Sequence, residues 1–262
     1  MTVEASAEPL MLLDHQEGVS TVTLNQPDRL NAIGAEMTRQ LIATLAEADA
    51  EPSTGCIVLT GAGRAFCSGG DVGNMGESPT VDGVLHRDWH LTQVLLATEK
   101  PVLAMVNGAA VGLGATLAMS CDIVYAADDA PIGDTHVLLG VLAGDGAMIP
   151  LLLNAGPMRT KDFVLRGHLV SGAEAAAAHL VNGAFPSEQL AEHTYACARD
   201  LAARPLYAVR ATKMIINRYQ RWATGELLET SLGLELHSMR IPEHAEAVER
   251  FKVRQVAQRS ER

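Results

Sequence analysis

Asn107-Gly-Ala-Ala-Val-Gly-Leu-Gly-Ala-Thr-Leu-Ala-Met-Ser-Cys-Asp122 is the stretch that decides how this chain folds. Its glycines form a turn that opens into a helix, and the first amides of a helix have no partner inside it. Before it, Lys100-Pro-Val-Leu-Ala-Met-Val106 reads as a buried strand; after it, Asp122-Ile-Val-Tyr-Ala126 reads as another. A second glycine turn, Ala65-Phe-Cys-Ser-Gly-Gly-Asp71, follows the strand Cys56-Ile-Val-Leu-Thr60. Two such junctions could aim two N–H donors at one developing negative charge. The plainer alternative is that these glycines only shape tight turns.

Outward from these turns the organisation changes once. Up to about residue 150 the pattern alternates: Val19-Ser-Thr-Val-Thr-Leu24 as a strand, Ala35 to Ala50 as an amphipathic helix, then the strands and turns above. After that come helical segments with breaks at Gly156-Pro157, Gly167, Ser171-Gly172, Asn182-Gly183, Pro186, Pro205, Gly225 and Pro242. Residues 250–262 are polar and charged, and their end is expected to fray. The fold class is therefore α/β followed by α.

The 262 residues, 48% of them hydrophobic, suffice for a substantial core. A formal net charge of −11 argues against nucleic acid or an anionic membrane as partner, because both need a basic face. The four cysteines are far apart, so neither a metal cage nor a disulfide framework is expected, and no metal. Val102 to Cys121 has no charged residue, but Asn107 and its glycines speak against a membrane span. The acidic N-terminus has no basic n-region, which makes a cytoplasmic location the expectation.

Three segments in this order, Leu24-Asn-Gln-Pro-Asp-Arg-Leu-Asn-Ala32, Arg64-Ala-Phe-Cys-Ser-Gly-Gly-Asp71 and Lys100-Pro-Val through Asn107-Gly, Gly112-Leu-Gly114 and Cys121-Asp122, resemble the crotonase family, also called the enoyl-CoA hydratase/isomerase family. The resemblance covers roughly residues 10 to 185. It implies a crotonase-like ββα spiral core over residues 1–195, then an α-helical C-terminal region over 196–262 that serves trimerisation. It also implies acyl-CoA substrates, a homotrimer or dimer of trimers, and no cofactor beyond the CoA moiety of the substrate. The two amide donors would fall on Gly70 and Leu113, with the helix starting near Gly112 adding a favourable dipole. CoA would lie along Arg29, Leu30 and Ala32 and against the first glycine turn at Ser68, Gly69, Asp71 and Val72. With so acidic a chain that site must be locally basic, and Arg29, Arg64 and Lys213 are possible sources. Arg29 could equally be an exposed loop charge.

The chain departs from the family at the acid–base positions. The hydratases carry one glutamate two residues after the last glycine of the second turn, where this chain has Thr116. They carry another in a Phe-Gly-x-Pro-Glu pattern, which here reads Ile132-Gly-Asp-Thr-His136. Thr116 could at best orient water or substrate, whereas His136 can serve as general base or acid. Asp145, in Gly140-Val-Leu-Ala-Gly-Asp-Gly146, stands near a place where some branches carry a functional aspartate; it could instead cap the helix that begins near Ala147. Asp134, His86 and His90 are weaker candidates.

The resemblance thus implies an acyl-CoA lyase or isomerase working through a thioester enolate, with His136 and Asp145 in place of the two usual glutamates. Two alternatives stay open. One is a hydrolase or dehalogenase of the same fold that cleaves a C–C bond, a thioester or a halide; the other is an acyl-CoA binder with altered catalysis.

Overall fold

The computed structural model describes residues 9–71, 91–146 and 148–260, with backbone alone at 252 and 254–260. A six-stranded sheet is built from β1 (Met11–Gln16), β2 (Val19–Leu24), β3 (Cys56–Gly61), β5 (Val102–Val106), β7 (Ile123–Ala127) and β9 (Gly183–Phe185), adjacent in that order. Only the β1–β2 pair is antiparallel. A second, parallel sheet of three short strands runs β4 (Ala65–Cys67), β6 (Ala109–Val111), β8 (Ile132–Gly133). β4 and β6 fall inside the segments read from sequence as glycine turns. Three-residue strands leave no alternation to detect, and both are fully or partly buried by the helices beside them.

The helices are α1 (Ala35–Ala50), α2 (residues 91–97), α3 (Leu113–Met119), α4 (Met148–Arg166), α5 (Gly172–Ala177), α6 (Ser187–Ala202), α7 (Leu206–Ser238) and α8 (Pro242–Ser260). In α1 the buried side chains Met37, Leu41, Leu45 and Ala48 recur every three or four residues and form one apolar stripe. Central strand β3 is buried along its whole length and is covered on both faces. Its side chains alternate: Ile57 and Leu59 join the main core with Met37, Leu41, Phe66 and Leu117, while Cys56 and Val58 pack with Leu103 and Ala198 under α6. α6 runs across residue 195 and lies on β3, β5 and β7.

One expectation about the helices is corrected. Gly225 does not interrupt α7, which continues for 33 residues; a lone glycine costs a helix only about 1 kcal/mol, too little to end one. Residues 250–260 lie within α8, and the last two residues of the end expected to fray lie outside the described residues. At Gly156, by contrast, α4 kinks where expected, with φ of 75° ahead of Pro157. The uncharged passage 102–121 folds as strand, strand and short helix, and among the described residues no helix is long and apolar enough to cross a membrane. Among the described residues the four cysteines are free, and no cluster of His, Cys, Asp and Glu could hold a metal ion.

Candidate active site

The segment 26–33 is fastened to the first glycine turn. Pro27–Arg29 form one 3-10 turn, after which Leu30 and Asn31 both take left-handed backbone angles, φ 52° and 55°. Such angles are uncommon outside glycine, though asparagine tolerates them best. Asn31 is fully buried and secures the bend: its amide donates to the carbonyls of Ala62 and Ala65, and its side-chain oxygen accepts from the Gln26 N–H. The turn is then joined by Ser68 N–H to Leu30 O, Ile33 N–H to Gly69 O and Asp71 N–H to Ile33 O. This brings the half-exposed Arg29 onto Asp71, whose two carboxylate oxygens accept from one guanidinium nitrogen at 2.7 and 2.8 Å. Leu30, Ala32, Ser68, Gly69 and Asp71 therefore lie on two segments joined by backbone hydrogen bonds; Val72 lies outside the described residues, as do His86 and His90.

The two glycine turns pack face to face. A Cβ on Gly69, whose φ is 107°, would sit 2.9 Å from the Val111 carbonyl oxygen and 3.9 Å from the Leu113 nitrogen; one on Gly114 would lie 2.1 Å from the Cys67 carbonyl oxygen. Only glycine allows this approach. Among the described residues neither the Gly70 N–H nor the Leu113 N–H donates to a backbone carbonyl, and α3 has no side-chain cap. α3 has only seven residues, so its dipole adds less than the sequence suggested.

Beneath the second turn the structure gathers Thr116, Asp134, His136 and Asp145. Thr116 is buried in the first turns of α3, and its hydroxyl donates to Asp145 Oδ2 at 2.7 Å. The β6–β8 pairing sets Gly133 beside Val111, and the chain leaving β8 carries Asp134 and His136 past Gly112. A Cβ on Gly112 would lie 3.7 Å from His136 Cε1. His136 Nδ1–H donates to Asp134 Oδ1 at 2.6 Å, and its Nε2 points at Asp145 Oδ2 from 3.9 Å. Burial by itself disfavours the charged imidazole. The hydrogen bond to Asp134 and the charges of Asp145, Asp134 and Glu235 outweigh it, and the His136 pKa is raised to about 10. At neutral pH His136 is therefore an imidazolium: it has a proton to give and no lone pair with which to take one.

Glu235, on α7, was not foreseen. It is 2% exposed and lies against Gly144, one residue before Asp145. Nothing in the sequence near residue 235 marks it out, since a glutamate within a polar helix carries no spacing signal. Lys213, named among possible basic groups, is instead buried in an ion pair with Asp122 at 2.6 Å and donates to the Lys100 carbonyl. It borders a cavity of about 530 Å³ between α7 and the starts of β5 and β7, which shares no residue with the Thr116–Asp145–His136 cluster.

The arrangement offers two amides without a backbone acceptor among the described residues, one buried carboxyl group held by a hydroxyl, and one histidine whose pKa is raised. Groups of these types are those used for general acid–base chemistry and for stabilising a developing negative charge.

Comparison with known proteins identifies the family and the fold. The sequence profile of the enoyl-CoA hydratase/isomerase family matches residues 14–257. The 1,2-epoxyphenylacetyl-CoA isomerase of Escherichia coli (strain K12) is 35% identical over 237 residues, 88% of this chain and 89% of that protein. The 2,3-dehydroadipyl-CoA hydratase of the same organism is 31% identical over 213 residues, 81% of this chain and 84% of its own length. The crystal structure of an enoyl-CoA hydratase/isomerase from Xanthobacter autotrophicus Py2 superposes with a TM-score of 0.86 at 27% identity, covering 96% of this chain and 97% of that one.

Proposed function

The chain belongs to the enoyl-CoA hydratase/isomerase family, and from that premise we propose that it moves protons on an acyl-CoA thioester through an enolate, in an isomerase-like reaction. The observation that carries the proposal is the buried hydrogen bond from Thr116 to Asp145, which supplies a carboxylate where neither family glutamate is present. In this reading Asp145 takes the proton from the carbon next to the thioester. The electron pair left behind moves onto the carbonyl oxygen, which accepts hydrogen bonds from the Gly70 and Leu113 amides. Each donor of this kind lowers a barrier by about 3 kcal/mol.

His136 enters as acid rather than base, because its neighbours keep it protonated. It delivers a proton to the substrate carbon that gains hydrogen as the double bond shifts. The proton held by Asp145 then passes to the neutral Nε2 across the 3.9 Å gap, restoring both groups. CoA is held by the surface of Arg29, Leu30, Ala32, Ser68, Gly69, Asp71 and Val72, with Arg29 near its phosphates. Assembly as a homotrimer or a dimer of trimers belongs to the same proposal. It is supported by the apolar side chains left open on α4 and α7, such as Met158 at 84% exposure, Ile215 at 74% and Trp222 at 62%. A cytoplasmic location completes it.

The test is exchange of the α-protons of butyryl-CoA with D2O, followed by proton NMR. Enzyme-dependent exchange without release of free CoA is expected. Release of CoA would instead identify a hydrolase, and binding without exchange would identify a carrier of acyl-CoA.

A further inference from the structure

Asp134 is the one member of the buried cluster to which the proposed chemistry gives no task. It is 1% exposed, and the backbone before it is fixed from two sides. Gly112 N–H donates to the Gly133 carbonyl at 2.9 Å, while Ile132 and Val170 exchange backbone hydrogen bonds at 2.8 and 2.9 Å. The first residue after β8 is thereby held close to Gly112, the residue before Leu113.

One carboxylate oxygen of Asp134 serves His136 twice. Oδ1 accepts from the ring at Nδ1, 2.6 Å away, and from the His136 backbone N–H at 3.1 Å. Oδ2 is buried and has no hydrogen-bond partner among the described residues. Taking a carboxylate out of water costs several kcal/mol, and among the described residues the hydrogen bonds of this one go to a single histidine. They also fix its direction. With Nδ1 turned to Asp134, Cε1 faces Gly112, where a Cβ would lie 3.7 Å away, and Nε2 is left toward Asp145 Oδ2 at 3.9 Å. The hydrogen bond made by one imidazole nitrogen decides what the other can do.

We infer that Asp134 is a positioning residue: it holds a proton on His136 Nδ1 and so makes Nε2 the nitrogen that gives and receives protons in this site. When His136 delivers its proton to the substrate carbon, the N–H bond that breaks is the one at Nε2. The electron pair stays on that nitrogen, and the Nδ1–H tautomer remains to accept the proton from Asp145. The consequence for catalysis rests on the enolate reading proposed above; the placement of the Nδ1 proton does not.

The test is NMR of the full chain labelled with 15N-histidine, in wild type, Asp134→Ala and Asp134→Asn. At neutral pH wild type should show a ring Nδ1 proton far downfield, slow to exchange with water and missing from His136→Gln, which assigns it. Asp134→Ala removes the acceptor: the signal should vanish, and kcat for butyryl-CoA exchange should fall by about a hundredfold with KM kept. In Asp134→Asn the His136 backbone N–H still points at the same position. The amide should therefore turn its oxygen to the ring, so that the signal persists and part of the rate returns. A wild-type spectrum without this signal overturns the inference, whether or not either variant folds. So does a folded Asp134→Ala that keeps the signal, or one that loses it and exchanges as fast as wild type. A wild-type protein that shows the signal but no exchange sinks the enolate proposal instead, and leaves the Nδ1 proton where Asp134 holds it.

Discussion

Thr116 and Asp145 are joined by a 2.7 Å hydrogen bond, donated by a hydroxyl on the first turns of α3 and accepted by a carboxylate that is 1% exposed. Thr116→Val keeps the shape and deletes the donor. Losing a donor to a buried charged group costs about 1–3 kcal/mol, so the variant should unfold at lower denaturant and exchange α-protons more slowly. Thr116→Ser should recover both, measured on the same preparations.

Asp145→Asn separates proton transfer from helix capping. As the base, Asp145 is worth roughly a hundredfold or more in kcat. As a cap it would be worth about 1 kcal/mol of stability and little rate. Melting curves and exchange rates for this one variant decide between the two, and a large loss of rate is expected.

The pH dependence of stability has a definite sign at His136. Unfolded, a histidine titrates near about 6.5, while here the pKa is raised to about 10. The stabilisation is then complete below the lower value and is lost as pH climbs through the upper one. Denaturant titrations should show wild type losing stability across this window more steeply than His136→Gln. The buried thiols of Cys56 and Cys67, pushed up to about 12 by desolvation, also weaken the fold in alkali, but equally in both proteins.

Crotonyl-CoA should bind yet hydrate slowly, below the order of 10 per second common for enzymes, because no pair of glutamates holds a water. Thr116→Glu with His136→Glu should not restore hydration alone. It sets a new carboxylate against Asp145, and two buried acids in contact suppress each other's ionisation. With Asp145→Asn added, hydration should rise. Fast hydration by the unmodified protein would contradict the assignment of these positions.

Gly70→Pro removes one amide proposed for the thioester oxygen. The ties on either side run through Gly69 O and Asp71 N–H, not through the Gly70 N–H, so folding should survive. Exchange should be abolished while circular dichroism is unchanged. A folded variant with full activity would remove Gly70 from the mechanism.

How much of this was legible in the sequence depends on range. Strands such as Cys56–Gly61 and Val102–Val106 announce themselves as apolar runs beside glycine, whereas Thr116, His136 and Asp145 were singled out through the resemblance to the family's motifs. The Arg29–Asp71 pair spans 42 residues and depends on two left-handed residues that no periodicity betrays. That His136 is held protonated follows from three acids on three separate elements. One of them, Glu235, lies on α7 ten residues beyond Gly225, which does not end that helix.

The dependence of the loop on α7 also has a schedule in synthesis. β9 completes the large sheet at Phe185, and Glu235 lies 50 residues further along, the difference between 235 and 185. At about 5–20 residues per second on the ribosome, the residues of the large sheet are made some seconds before the α7 residues that pack on the Gly144–Asp145 loop. A ribosome that stalls in that interval leaves a bound fragment that holds every residue of the large sheet and lacks the α7 surface on which the Gly144–Asp145 loop is seated.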